Sequence, residues 1–407
     1  MTPAQATLAF GWVALLILGI LTAWVRDRWA VAAFQIGFFS LGSWWLLRLS
    51  VRPAPLALPQ FVLIPLALVS IGAAQLIGGG TVNLWETLNS TGNWLTHLIA
   101  MVLAAQFASV TRLRNNVREV LFWFGGSIAI LGIVQNLTSG GKVFWLFDSG
   151  FQSLVLGPFV YRNKFAQFLE LLLPLAVFRA AERPRRAAVS LAVAAMMLAG
   201  TVAAGSRSGF VVMLAETLTL LIVLGRGPWL REQRALKIAT QTILWMVVCA
   251  GLVGWEFLHD RFQMDFRDDV RLPIMLATAD MIKERPWTGY GLGAWSSAYG
   301  QFARIDTGLF VNQAHCDWLQ WWAEGGILGL LIMVALAVQS VRVGLERPWA
   351  LGVPFVLLHG FVDYPMQQVP QFATLVLALF ALAAGVPPGR SAGAAASWYR
   401  SRNVLEN

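Results

Sequence analysis

Runs of about 20 apolar residues, separated by short polar turns, recur along most of the chain. A helix needs about 20 mostly apolar residues to cross the hydrocarbon core of a bilayer. On that criterion the sequence holds twelve candidate spans, near 7–25, 29–47, 58–77, 94–111, 119–137, 164–181, 187–205, 208–225, 239–257, 317–340, 349–363 and 367–386. One long segment, roughly 258–316, breaks the rhythm between the ninth and tenth runs. The pattern predicts an all-α integral membrane protein of about 12 transmembrane helices. It forms a single polytopic membrane domain over 1–386, followed by a Gly/Ala/Ser-rich mobile tail at 387–407.

Composition supports this reading. Of 407 residues, 57% are hydrophobic and only 13% charged, whereas a soluble domain carries about 25% charged residues. That excludes a cytosolic enzyme, a disordered chain and a small disulfide-stapled module. The net charge of +9 points to topology rather than to nucleic acid, because basic residues mark cytoplasmic segments. With both termini cytoplasmic, the inside segments hold eighteen Lys and Arg residues against six in the short outside segments, and the long loop lies outside. Many of the nineteen Trp, such as Trp29, Trp94, Trp349, Trp321 and Trp322, fall near span ends, where aromatic anchors belong. The two cysteines, Cys249 and Cys316, make no disulfide framework. The first apolar run is too long for a cleavable signal and has no basic residue before it.

The topology gathers unusual polar residues on the outer side. The sixth run opens with GPFVYRNKFAQFLELLLPL (157–175), which puts Arg162, Asn163 and Lys164 at the outer surface. Glu170 follows roughly 9 Å deeper at 1.5 Å per residue. An ionisable group inside a membrane is costly and is a functional candidate by default. The turn GSRSG (205–209) offers small residues that let a backbone approach a ligand, and Arg207, a planar donor fork suited to phosphate.

In the long loop, Asp268 or Asp269 caps an expected helix with Pro273 in its first turn. Leu272, Met275, Leu276, Ala279 and Ile282 form its apolar face, and Arg267 and Arg271 sit at its start. Asp265, Asp268 and Asp269 are a candidate cation site, opposed by the flanking arginines. Glycines 289, 291 and 293 form a turn beside Trp287, Tyr290 and Trp295, whose ring faces suit stacking on a sugar. His315, in NQAHCDWLQWWAEGGILG (312–329), precedes the tenth run near Asp317 and Glu324, and an outward imidazole suits proton transfer near neutral pH. His97 and His359 read as embedded in spans, and His259 as a loop edge.

These segments, in this order, resemble the bacterial O-antigen ligase and O-antigen polymerase family. The resemblance rests on GPFVYRNKFAQFLELLLPL, GSRSG, RLPIM through RPWTGYGLGAW, HCDWLQWWAEGGILG and HGFVDYPMQQ (359–368), and covers roughly 150–370. It implies a GT-C-like helical glycosyltransferase of the bacterial inner membrane, with its active site facing the periplasm. Its donor is a glycan on undecaprenyl diphosphate, and the acceptor is lipid A–core or another glycan. No cofactor, metal or nucleic acid is implied. Matched by motif, the catalytic residues are Arg207, Arg271 and His315; Arg162, Asn163, Lys164, Arg267, Trp287 and Tyr290 are substrate-binding candidates. Cys316 stands where the family's histidine is often followed by Asn, while RNK at 162–164 and HGFVD at 359–363 resemble polymerase-like members. The readings from other classes are a membrane transporter, which would favour repeated halves, and a non-catalytic assembly scaffold.

Overall fold

The computed structural model describes residues 2–150, 155–226, 270–306 and 310–385, with positions 240, 241, 244, 248, 251 and 308. Most of the expected ninth span (239–257), the tail, His259, Cys249 and Arg267 with Asp265, Asp268 and Asp269 lie outside the described residues. A helix occupies each of the other eleven apolar runs. They are α1 (Pro3–Leu21), α2 (Arg28–Val51), α3 (Leu63–Ile77), α4 (Leu84–Ala108), α5 (Thr111–Thr138), α6 (Arg162–Glu182), α7 (Ala187–Ala203) and α8 (Arg207–Arg226). The long loop contributes α9 (Arg271–Glu284) and α10 (Trp295–Tyr299), and the chain continues with α11 (Asp317–Glu346), α12 (Gly352–His359) and α13 (Pro370–Ala384). A two-stranded hairpin, β1 (Lys142–Val143) and β2 (Phe147–Asp148), follows α5.

Among the described residues, seven helices are long and apolar enough to cross a membrane: Pro3–Leu21, Arg28–Val51, Gln60–Ile77, Thr111–Thr138, Pro184–Ala203, Arg207–Arg226 and Asp317–Glu346. The helices α4 and α6 are as long but carry more polar side chains, and α12 and α13 are short. Several helices start earlier than hydropathy places them, because polar first turns extend them. Thr2 and Gln5 form a capping box that starts α1 at Pro3, and Asn83 accepts from the Glu86 N–H to start α4. In the opposite sense, the run expected as a span over 349–363 is α-helical only from Gly352 to His359, after a 3-10 turn over Pro348–Ala350.

The buried axis is α6, covered along 163–181 and packed against α5, α7, α8 and α12. Leucines and phenylalanines all round that helix suit burial on every side. Close approach comes from small residues, as in other membrane bundles: the Phe165 ring lies between Gly132 of α5 and Gly200 of α7. Around the bundle Phe10, Ile36, Leu47 and Ile77 present exposed apolar surface. Trp29 is exposed as an interfacial anchor would be, but Trp94, Trp321 and Trp349 are buried and are core residues instead. Trp349, for example, lies under the Arg118 guanidinium.

The two ends of α6 differ. Its C-terminal end carries ion pairs, Arg179 and Arg183 with Glu119 and Arg118 with Glu182. Its N-terminal end, about 30 Å away at 1.5 Å per residue, carries Arg162, Asn163 and Lys164.

The described part of the loop is anchored to the bundle. In α11 the helix breaks at Gly326 (φ 63°, ψ −166°), and backbone groups freed there are taken by the loop. The Tyr290 N–H donates to the Ala323 carbonyl, the Gly291 N–H to that of Glu324, and the Ile327 N–H to that of Pro286. Gln75 of α3 adds a bond to the Thr288 carbonyl. The buried face of α9 is Ile274, Ala277, Thr278, Met281 and Ile282; Leu272 and Leu276 are exposed. The expected face was offset because α9 packs on Trp295, Tyr299 and Ala323 in a second, smaller core.

Replacing Gly132 by Leu should push Phe165 out of its slot. It should cost about 1–3 kcal/mol, the usual penalty of overpacking, seen as a lower melting temperature of the detergent-purified protein. An unchanged melting temperature would mean that α5 and α6 are not packed through this ring.

Candidate active site

Each letter of GSRSG has an identifiable job. Gly205 (φ +60°) turns the chain out of α7 through a backbone conformation that suits glycine. Ser206 is the cap of α8: its Oγ accepts from the Gly209 N–H (3.2 Å) and donates to Asn163 Oδ1 of α6 (2.9 Å). Arg207 is the first helical residue and is partly exposed. Ser208 Oγ lies 2.9 Å from His359 Nε2. At Gly209 a Cβ would come within 2.7 Å of Ala166, so the missing side chain lets α8 close on α6. The two serines are therefore engaged within the protein, on either side of the partly exposed Arg207.

The turn after α12 is where the distant segments meet. Asp363 is fully buried. Asn163 Nδ2 donates to its Oδ2, and the Tyr364 N–H donates to its Oδ1 at 2.7 Å. Lys164 Nζ donates to the Tyr364 carbonyl and stands 4.2 Å from the centre of the Tyr364 ring. Arg271, at the start of α9, donates to the Val362 carbonyl at 3.2 Å. The His315 ring meets the Tyr364 ring edge-on with centroids 5.0 Å apart. Asp317 donates its N–H to the Gly360 carbonyl (2.8 Å) and accepts from the Met366 N–H (2.9 Å). One helical turn earlier, His359 Nδ1 lies 2.8 Å from Glu170 Oε2, with both side chains fully buried.

Electrostatics follows from this packing. Burial works against ionisation of Asp363, but the charges of Lys164, His359 and Arg271 outweigh it and hold the carboxyl below its ordinary range. For Tyr364, burial, then Tyr161 and Asp363, push the phenol well above its usual value, so it remains neutral. His315 has a left-handed backbone (φ +55°), uncommon for a residue with a side chain and typical of positions held by their surroundings.

Arg271, His315, Asn163 and Lys164 thus meet one short segment, 359–364, and the turn that carries Arg207 touches it through Ser208. Arg162 is the first residue of α6, directly beside them. Arg267 lies outside the described residues. The Tyr290 ring faces are not open for stacking: the residue is buried in the loop core against Phe302 and beneath Arg285, and burial first among the causes pushes its phenol up to about 12. Trp295 is likewise buried against Tyr299, whereas Trp287 is 74% exposed. Among the described residues no three His, Cys, Asp or Glu are grouped to hold a metal. Hydropathy gives His359, Asp363 and Tyr364 no role; the signals for them are the segment HGFVDYPMQQ and an acidic residue at the end of an apolar run.

Asp363→Asn should lower thermal stability at neutral pH by about 1–3 kcal/mol, the cost of losing a charge-assisted hydrogen bond. The native carboxyl has a depressed folded-state pKa, so its contribution is present above the unfolded value and lost as pH falls through the folded one. The difference between variant and wild type should therefore persist to mildly acidic pH and close only below the ordinary value of 3.8. Melting curves of both proteins across pH test this; a gap that closes near neutrality would contradict it.

Searched against curated proteins, the chain finds no match. Residues 192–334 match the family model described as O-antigen ligase. The matched stretch takes in Arg207, Arg271 and His315, while Asn163, Lys164 and the 359–364 segment lie outside it. Over that region, about a third of the chain, the protein is similar to the O-antigen ligase family.

Proposed function

We propose that the protein transfers a glycan from undecaprenyl diphosphate to a periplasmic acceptor, as an O-antigen ligase that attaches O-antigen to lipid A–core. The observation that carries this reading is the convergence of Arg271, His315 and the Arg207 turn on residues 359–364. Two guanidinium groups and an imidazole, drawn from separate elements, are the groups that a diphosphate leaving group and a hydroxyl nucleophile require.

In the proposed step the acceptor oxygen attacks the anomeric carbon while the bond from that carbon to the diphosphate oxygen breaks. The bonding electrons leave with the diphosphate, and the sugar inverts. His315 takes the hydroxyl proton and later returns it to water. Arg207 and Arg271 stabilise the charge that grows on the leaving group. Both arginines open helices, α8 and α9, whose N-termini carry partial positive charge and add to the same field. Arg162 lies close enough in sequence to bind the donor's phosphate or sugar from the start of α6. The bundle keeps the polyprenyl chain in lipid. In this reading both termini are cytoplasmic, the site faces the periplasm, and the ion pairs at the C-terminal end of α6 mark the cytoplasmic side.

A polymerase using the same chemistry is the second reading. It is favoured by one observation: Asn163 and Lys164 of the RNK segment bond directly to Asp363 and Tyr364 of HGFVDYP, the two stretches that resemble polymerase-like members.

Purified protein in lipid nanodiscs, given lipid-linked glycan and either acceptor, separates the readings: glycosylated lipid A–core for a ligase, lengthened lipid-linked chains for a polymerase. His315→Ala should lower turnover about 10²–10⁴-fold, and Arg207→Ala or Arg271→Ala about 10²–10³-fold, with melting temperatures near wild type. Full transfer by His315→Ala and Arg271→Ala would overturn the mechanism.

A further inference from the structure

We propose that His359 and Glu170 are positioning residues that aim Arg207 from within the bundle, an inference that rests on the role given to Arg207 above. The turn Ser206–Arg207–Ser208 is held on both sides of the arginine. On one side Ser206 bonds to Asn163, which bonds to Asp363. On the other, Ser208 Oγ meets His359 Nε2 at 2.9 Å, and His359 Nδ1 meets Glu170 Oε2 at 2.8 Å. The two serines are fixed by side chains from α6 and from the end of α12, so the first turn of α8 cannot rotate without breaking a bond on either flank.

The chemistry of the three groups fits this role. A carboxylate facing Nδ1 keeps a hydrogen on that nitrogen and fixes the plane of the ring, which sets Nε2 against the Ser208 hydroxyl. Neither His359 nor Glu170 has exposed side-chain surface, so a substrate does not touch them directly; the partly exposed Ser208 and Arg207 are the outer end of the chain. Surrounded by apolar helices, a broken link would leave polar groups without partners, which makes the arrangement stiff. Arg207 needs that stiffness because bidentate recognition of a phosphate depends on the orientation of the guanidinium plane. The same histidine contributes to the field at Asp363. Both flanks of the turn are thereby tied to the segment that receives Arg271 and His315.

Steady-state transfer by the full-length protein in nanodiscs tests the proposal, with Ser208→Ala, His359→Gln and Glu170→Gln each made in the wild-type and the Arg207→Lys backgrounds. Lysine keeps the charge, loses the planar fork and leaves activity to measure. Ser208→Ala should lower kcat/KM for the lipid diphosphate donor about 2- to 10-fold, the value of one hydrogen bond. The KM for the acceptor should stay unchanged, and Ser208→Thr should restore the wild-type value. In the Arg207→Lys background the same substitutions should cost little more, because they act through the arginine. Equal losses in both backgrounds, or fewer active molecules with every KM unchanged, would overturn the positioning role and leave Arg207 in place. Full activity of Arg207→Lys and Arg207→Ala would overturn both readings. Ser208→Ala carries the test alone if the two buried substitutions prevent folding.

Discussion

A carboxylate with no exposed surface, in a bundle built for lipid, has to be met by cations and donors or it will not ionise. At Asp363 that requirement organises the outer end of the molecule. Asn163 and the Tyr364 N–H bond to it, while Lys164, His359 and Arg271 supply the surrounding positive charge. Those groups come from three places: α6, the end of α12 with the turn after it, and the start of α9. Satisfying one buried acid therefore fixes the relative positions of helices far apart in sequence. An interior this close-packed transmits such a constraint over several ångströms without slack.

The bilayer explains why the polar residues sort as they do. A charge within the hydrocarbon region is tolerated when paired, and α6, the most enclosed helix, carries its charges at its two ends and at Glu170. Its C-terminal end is closed by arginine–glutamate pairs that hold it to α5. Its N-terminal end is joined by polar side chains to α8 and to the turn after α12. The loop helix α9 reaches the same place by a different route. The break in α11 at Gly326 exposes backbone groups to which the loop bonds, and the smaller core then sets where Arg271 begins.

Much of this was legible in the sequence. The apolar runs located eleven helices, and the motifs isolated Arg207, Arg271, His315, Asn163 and Lys164. What hydropathy did not show is where apolar stretches stop being helical. Residues 360–362, Gly-Phe-Val, read as a continuing span, but the Asp317 N–H takes the Gly360 carbonyl and Arg271 takes that of Val362. Those partners come from elsewhere in the chain, so the end of α12 is a tertiary decision. The face of α9 was displaced for a related reason. In a membrane protein an apolar side chain is equally content against lipid or against core, so leucine at 272 and 276 does not mark the buried side. Spacing alone makes the serines of GSRSG look like room for a ligand, because it does not reveal that Asn163 and His359 occupy their hydroxyls.

The central claim is that Arg207, Arg271 and His315 surround a single diphosphate-binding position against residues 359–364. A cryo-EM structure of the protein with undecaprenyl diphosphate addresses it directly. The account predicts diphosphate density between the guanidinium groups of Arg207 and Arg271, with the His315 ring at its edge. Density at the opposite end of α6, among Arg118, Arg179 and Arg183, or a headgroup touching neither Arg207 nor Arg271, would contradict it.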